Sequence, residues 1–171
     1  AAILQHNTSG IISLKEKGID SPKKLEGKRY ATWEDDIEQA ILKKLVTDNG
    51  GDFSKVKLIP YTVTNVVASL KTDIDAIWVY YAWDGIATER AGLKTNFLKL
   101  RDYGKELDYY SPVIIANNDY LKANPEIAKK VLRAIKKGYE YAAKNPEESA
   151  KILVKNSPEL DINLVTASQK W

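Results

Sequence analysis

The sequence contains no cysteine and a single histidine, His6, in 171 residues. Without cysteine the chain cannot form a disulfide, a thiolate nucleophile or a cysteine-ligated zinc or iron–sulfur centre. With one histidine it cannot build a multi-histidine metal site, and any Ser-His-Asp triad would have to use His6. We therefore predict no catalytic residues, no cofactor and no metal, and we interpret His6 as structural.

Long hydrophobic runs, methionine and a strong charge imbalance are missing as well. The longest apolar runs, 76–81 and 113–116, are much shorter than the roughly 20 residues of a membrane-spanning helix. The 26 Lys and Arg residues are scattered among 23 Asp and Glu residues, so there is no one-sided basic stripe for a phosphate backbone. These observations predict no membrane span and no nucleic-acid partner. The lack of methionine suggests that the chain is processed or truncated.

The composition that is present, 44% hydrophobic and 29% charged, is typical of a soluble globular protein with a core. Up to about residue 112 the pattern alternates between strands and helices, which predicts an α/β fold with a mostly parallel sheet. The strands are predicted at 1–6, 28–33, 56–60, 76–81, 97–100 and 113–116. From residue 118 onward only helices are predicted, with an apolar stripe that includes Ile127, Val131 and Ile135.

The helix after the second strand carries the first chemical signal. Thr32 is predicted to cap it, and three acids at 34–36 lie in its first turn. Ile37, Ile41 and Leu45 form its predicted core face. Acids at a helix start oppose an anionic ligand there, which favours a neutral or cationic one, although solvated acids that only complement the helix dipole are an equal alternative.

Three segments resemble a known family. They are LQHNTSGIISLKEKGIDSPKKLEGKRYATWEDDIEQA (4–40), DFSKVKLIPYTVTNVVASLKTDIDAIWVYYAWDGIATE (52–89) and DYYSPVIIANNDYLKANPEIAKK (108–130). They are similar to substrate-binding proteins of bacterial ABC importers, in the branch that captures the thiamin precursors formylaminopyrimidine and hydroxymethylpyrimidine. The motifs Ala-Thr-Trp-Glu and Tyr-Tyr-Ala-Trp-Asp-Gly point to that branch.

The resemblance implies a type II periplasmic-binding-protein fold with two lobes and a ligand between them. Residues 1–13 then correspond to the first crossover strand, 14–112 to the second α/β lobe, and 113–171 to the return crossover with C-terminal helices that pack on the other lobe. The first lobe is missing from this sequence, so the chain is expected to pair with that portion or with another copy. An ABC transporter permease and an extracytoplasmic location, periplasmic or lipid-anchored, are implied as well.

Polar and aromatic residues follow two predicted strands, at the edge where open α/β sheets bind ligands. They are Trp33 at the end of one strand and Tyr80, Tyr81, Trp83 and Asp84 around the end of another. An aminopyrimidine needs flat faces for stacking and an acceptor for its amino group, which rings and a carboxylate provide. By the resemblance, Asp84 is the carboxylate that faces the pyrimidine. The alternative is that Asp84 only caps a helix.

Asn7, Thr8 and Ser9 lie where the first crossover would meet the cleft, and they either donate to the ligand or form a turn that serves only the backbone. The function that we expect is binding without catalysis. A pyrimidine-precursor synthase of the same fold is an alternative, but by resemblance it relies on a cysteine-rich motif that this chain cannot have. Binding of another small neutral or cationic solute and a sensory module are the remaining alternatives.

Overall fold

The computed structural model describes residues 1–60 and 63–171, in which the chain divides into two units. We call Gln5–Ser111 the sheet unit, and Ala1–Leu4 with Pro112–Trp171 the helical unit. The structure has the α/β architecture that the sequence predicts. Whether 1–13 and 113–171 act as crossovers in a longer protein stays a prediction.

Five strands form the centre of the sheet unit, in the order β3-β2-β4-β1-β5. They are β1 (Ser9–Leu14), β2 (Arg29–Thr32), β3 (Lys57–Pro60), β4 (Ala76–Tyr80) and β5 (Thr95–Lys99). The three adjacent strands β3, β2 and β4 are mutually parallel, as predicted, while β1 is antiparallel to both β4 and β5. Four strands therefore point the same way and β1 is reversed between two of them. The carboxyl ends of those four strands and the amino end of β1 define one edge, which we call the carboxyl edge.

The first strand is where the sequence prediction is wrong. No strand covers 1–6; β1 starts at Ser9, within the segment that was expected to be a turn. A Cβ on Gly10 would lie 2.4 Å from the Leu98 carbonyl oxygen and 2.6 Å from the Phe97 ring. Small residues occupy this strand because its neighbours approach closely, and they make its sequence look like a loop.

Side chains alternate between the two faces of the sheet and build two cores. One contains Ile11 and Trp78 and is covered by α1 (Asp36–Asp48). The other contains Ile12 and Ile77 and is covered by residues of α2 (Val66–Thr72). A π-helical turn, Tyr81–Gly85, leads from β4 into α3 (Ile86–Arg90), where one continuous helix over 84–90 was expected.

The core face of α1 also differs from the prediction. Leu42, Leu45 and Val46 are buried, Ile41 packs against them, and Ile37 is 71% exposed. The buried stripe continues toward the helix start through Glu38 rather than through Ile37. A charged residue thus occupies a core position of this helix.

The helical unit consists of α4 (Asn118–Ala123), α5 (Pro125–Lys144), α6 (Pro146–Asn156) and α7 (Ile162–Lys170). The strand predicted at 113–116 is reduced to one antiparallel bridge between Ala2 and Val113. Several large apolar side chains of α5 are about half exposed, Ile127 and Val131 among them. Within 1–60 and 63–171, none of the helices combines the length and apolarity that crossing a bilayer requires.

Candidate functional site

A groove of about 750 Å³ runs along the sheet unit beside the first turns of α1. Trp33, which follows β2, and Tyr80, which ends β4, lie at the carboxyl edge and form part of its wall together with Trp78 and Tyr109. The rest of the lining comes from α1 and the segment before Tyr109: Asp35, Asp36, Ile37, Glu38, Ala40, Ile41, Lys44, Glu106 and Leu107. Its position fits the general rule that open α/β sheets hold ligands at the carboxyl ends of strands.

The aromatic wall offers flat surfaces to a ligand. Trp33 is 51% exposed, and its ring centroid lies 6.1 Å from that of the buried Trp78, with the planes tilted by 31°. The Tyr80 hydroxyl lies 3.4 Å from the Ser111 hydroxyl. Burial raises the pKa of Tyr109, so its phenol stays protonated at neutral pH. The Trp78 indole N–H has no hydrogen-bond partner within the described part of the chain.

Glu38 is the groove residue that the sequence interpretation missed. It is 3% exposed, and its carboxylate accepts hydrogen bonds from the Tyr30 hydroxyl at 2.9 Å and the Thr32 hydroxyl at 2.8 Å. The Trp33 backbone N–H donates to it as well, at 2.9 Å. Burial, and then the charge of Glu38, raise the pKa of Tyr30 well above its ordinary value, so this hydroxyl keeps its proton and donates. The Glu38 carboxylate thus holds both Thr32 and the backbone of Trp33, the residue whose ring is exposed.

The cap of α1 is Asp35 and not Thr32. One oxygen of Asp35 accepts from the backbone N–H groups of Ile37 at 3.0 Å and Glu38 at 2.9 Å. Thr32 lies at the end of β2, where its hydroxyl donates to Glu38 and accepts from the Glu34 N–H. Because a carboxylate satisfies two first-turn donors, this helix start does not offer them to a ligand.

Lys44 is the one cationic side chain among the residues that line the groove. Its ammonium lies 2.5 Å from Asp48 and 2.8 Å from Glu106, and these hydrogen bonds, the one to Asp48 first, raise its pKa. Four carboxylates share the lining with it, those of Asp35, Asp36, Glu38 and Glu106. The groove is therefore acidic as well as aromatic.

Of the five residues predicted at the two strand ends, the structure places two in this groove, Trp33 and Tyr80. Tyr81 begins the π-helical turn and does not line the groove; it lies against Phe97, which packs on the core of the opposite face of the sheet. Its ring packs 4.7 Å from that of Phe97, and its hydroxyl donates to Glu89. Burial and then this bond raise the pKa of Tyr81 to about 12.

Trp83 and Asp84 lie in the π-helical turn after β4 and do not line the groove. Asp84 is half-buried, and this burial raises its pKa, with a smaller opposing effect from its own backbone N–H. No other group of the described residues donates to its carboxylate. The alternative that Asp84 caps the helix is wrong, because Gly85 occupies the cap position of α3 and no side chain bonds there.

Asn7 and Ser9 are buried and bonded to the chain itself. The Asn7 amide donates to the Leu107 carbonyl at 2.8 Å, and its oxygen accepts from the N–H and hydroxyl of Ser9. The Thr8 carbonyl accepts from the Tyr81 N–H at 3.2 Å. The three residues fix the start of β1 at the carboxyl edge. His6 is exposed, and its ring nitrogen Nδ1 lies 2.8 Å from a carboxylate oxygen of Asp108; its structural role stays a prediction.

Solved structures with this architecture identify the class of fold. The chain superposes on the periplasmic aliphatic sulphonate binding protein SsuA from Escherichia coli with a TM-score of 0.74 and 17% identity, covering 96% of this chain and 55% of that one. It superposes on the desulfurization enzyme DSZB with a TM-score of 0.56 and 12% identity, covering 96% and 61%. These likenesses show the type II periplasmic-binding-protein fold.

The sequence identifies the family within this class. Residues 1–149 match the NMT1/THI5-like family, and the chain belongs to it. A formylaminopyrimidine-binding protein of Halalkalibacterium halodurans is 26% identical over 167 residues, which cover 96% of this chain and 50% of that relative. The chain spans about half the length of the curated relatives that it matches.

Proposed function

We propose that this chain forms part of the solute-binding subunit of an ABC importer, and that its ligand is an aminopyrimidine related to thiamin. The aromatic groove at the carboxyl edge is the observation that carries the proposal. The family assignment and the name of the Halalkalibacterium halodurans relative support it. The subunit would act outside the cytoplasm, in the periplasm or lipid-anchored at the outer face of the membrane, and deliver its ligand to a permease.

In this proposal the pyrimidine ring stacks on Trp33 and Tyr80, whose rings are both more than one-third exposed. Stacking on such rings contributes about 0.5–1.5 kcal/mol beyond the area that it buries. Trp83, which is also exposed, extends the aromatic surface after β4. The hydrogen bonds described above hold the carboxyl edge in place, so we assign a supporting role without ligand contact to Tyr81, Asn7, Thr8 and Ser9.

Asp84 does not line the groove, but it lies in the π-helical turn that begins directly after Tyr80, and we assign it as the acceptor for the exocyclic amino group. A half-buried carboxylate with no donor besides its own backbone is energetically unfavourable, and a ligand N–H would relieve that cost. The acidic lining of the groove favours the same class of ligand, because it attracts protonated or polarised N–H groups and repels anions. A neutral or cationic heterocycle fits both features.

We propose binding rather than catalysis, although the enzyme DSZB shares the fold. The curated relative is a binding protein, and the chain has no cysteine for the motif that the pyrimidine synthases use. A binding protein for another small neutral or cationic solute is the second candidate. The acidic lining supports it equally, whereas the aromatic wall favours a flat ring.

Calorimetric titration of the solute-binding subunit tests the ligand class. The compounds to be added are hydroxymethylaminopyrimidine, formylaminopyrimidine, thiamin, spermidine and methanesulfonate. We expect heat from the aminopyrimidines and none from methanesulfonate. Binding of spermidine alone would favour the second candidate, and binding of methanesulfonate alone would contradict the proposal.

Adjacent tyrosines provide a matched pair for locating the ligand. Tyr109 lines the groove, whereas Tyr110 is 62% exposed and does not. We expect Tyr109→Ala to weaken aminopyrimidine binding about two- to tenfold and Tyr110→Ala to leave it unchanged. Equal effects of the two substitutions would show that the ligand binds elsewhere.

A further inference from the structure

Three hydrogen-bond donors converge on the buried carboxylate of Glu38, and none belongs to the helix that carries it. Two are hydroxyls on β2, from Tyr30 and Thr32, and the third is the backbone N–H of Trp33. The donor-to-acceptor distances are between 2.8 and 2.9 Å, within the range of well-formed hydrogen bonds. The environment is built to hold a negative charge.

Capping does not explain this arrangement. Glu38 occupies the third helical position of α1, where a capping-box glutamate would bond back to the N–H of the cap residue. Here the cap is Asp35, which accepts from two first-turn N–H groups, and Glu38 reaches beyond it to Trp33. A glutamate that stayed in solvent at this position would complement the helix dipole equally well, and it would avoid the free-energy cost of burying a carboxylate.

Two hydroxyls and a backbone N–H beside the positive end of a helix are the donors that proteins use to bind an oxyanion. We propose that Glu38 fills an anion-binding site of the groove with the chain's own carboxylate, and thereby excludes carboxylates and sulfonates as ligands. This inference rests on the proposal that the groove is the ligand site. It names Glu38 as a residue that determines specificity.

Exclusion has two physical causes. The donors that an anion would need are already used by Glu38, and an anion brought beside this carboxylate would meet a like charge with little water between them. Asp35, Asp36 and Glu106 add to the repulsion along the same groove. Removing Glu38 should free the three donors together and leave room beside them.

Chemical rescue tests the inference on the chain alone, without any aminopyrimidine. The Glu38→Ala variant and the unmodified chain are melted in sodium chloride, sodium formate and sodium methanesulfonate at equal ionic strength. We expect formate or methanesulfonate to raise the Tm of Glu38→Ala by about 2–4 °C at several times its dissociation constant, relative to chloride. The Tm of the unmodified chain should not depend on which anion is present.

Asp35→Ala is the matched control, since it removes a carboxylate with two donors from the same helix start but at an exposed position. If formate or methanesulfonate raised the Tm of Asp35→Ala as much as that of Glu38→Ala, anions would be acting on the helix end in general, and the inference would be overturned. If Glu38→Ala is unfolded in chloride, recovery of its far-ultraviolet circular dichroism in formate supports the proposal. Failure to recover in either anion overturns it. Because no aminopyrimidine is used, these results do not depend on the titrations that test the ligand class.

Discussion

Asp84→Asn is expected to weaken ligand binding while leaving the unliganded chain as stable as before or more stable. The reason is the half-buried position of this carboxylate, whose pKa is raised by burial and is only partly offset by its own N–H. A raised pKa means that folding disfavours the ionised form. Above the unfolded-state pKa of about 3.9 the charge therefore lowers the free energy of unfolding, and an amide removes that cost.

The effect on binding has the opposite sign. If the carboxylate accepts a hydrogen bond from the ligand, the bond contributes about 1.5–3 kcal/mol, the range for bonds to charged groups. Its loss weakens affinity about ten- to hundredfold. Affinity of the unmodified chain should also fall as the pH falls through the raised pKa of Asp84, because the protonated group is a poorer acceptor.

Isothermal titration with the aminopyrimidine measures the affinity, and urea unfolding at pH 7 measures the free energy of unfolding of the same variants. Glu34→Gln is the control, since this acid is exposed to solvent whereas Asp84 is half-buried, and we expect it to preserve affinity better. Unchanged affinity in folded Asp84→Asn would refute the assignment of Asp84 as the acceptor. A clear loss of stability would refute the account of its burial.

Three further predictions concern the fold and its surfaces. Burial alone would raise the pKa of Asp75, but hydrogen bonds, led by that from Arg29, lower it well below its usual range. Asp75→Asn should therefore lower the free energy of unfolding by about 2 kcal/mol at pH 7, measured by urea unfolding. This difference should shrink as the pH falls below about 4, where the carboxylate of the unfolded chain becomes protonated. Gly10→Ala should destabilise the chain by about 1–3 kcal/mol in the same assay, because β5 leaves no room for a methyl group, whereas Gly138→Ala in α5 meets no neighbour and should stabilise it slightly. The half-exposed apolar face of α5 should cause self-association that light scattering detects and that Val131→Glu reduces; a monodisperse monomer with Val131 buried would contradict this.

The parallel part of the sheet could be predicted from sequence because strands and helices alternate along it, and because one of its strands is apolar on both faces. The run at 76–81 reads as a covered strand without knowledge of its neighbours, and β4 lies there. The reversed strand β1 could not be predicted in the same way. Ser9, Gly10 and Ser13 are buried in it although they look like loop residues, and Gly10 is required there by the close approach of Phe97 and Leu98, which are distant in sequence.

The site was predictable in part for a similar reason. Exposed aromatics at strand ends, Trp33 and Tyr80, are visible in the sequence because the edge of an α/β sheet is a general location for ligands. Glu38 was missed because a helical acid near other acids looks solvated. A signal was present, since Glu38 lies four residues before Leu42 and seven before Leu45, on the face that is buried.

The reversal of β1 has a consequence for the order in which the chain acquires its structure. Ser9 pairs with Tyr80 and Gly10 with Lys99, so the first strand of the sheet unit meets neither of its two partners until most of this unit has been synthesised. At translation speeds of about 5–20 residues per second, this interval lasts on the order of ten seconds. Pairings so distant in sequence also slow folding once the chain is complete. During that interval the future centre of the sheet is an unpaired segment with Ile11 and Ile12 accessible, and a molecular chaperone that holds extended apolar peptides would find its substrate there.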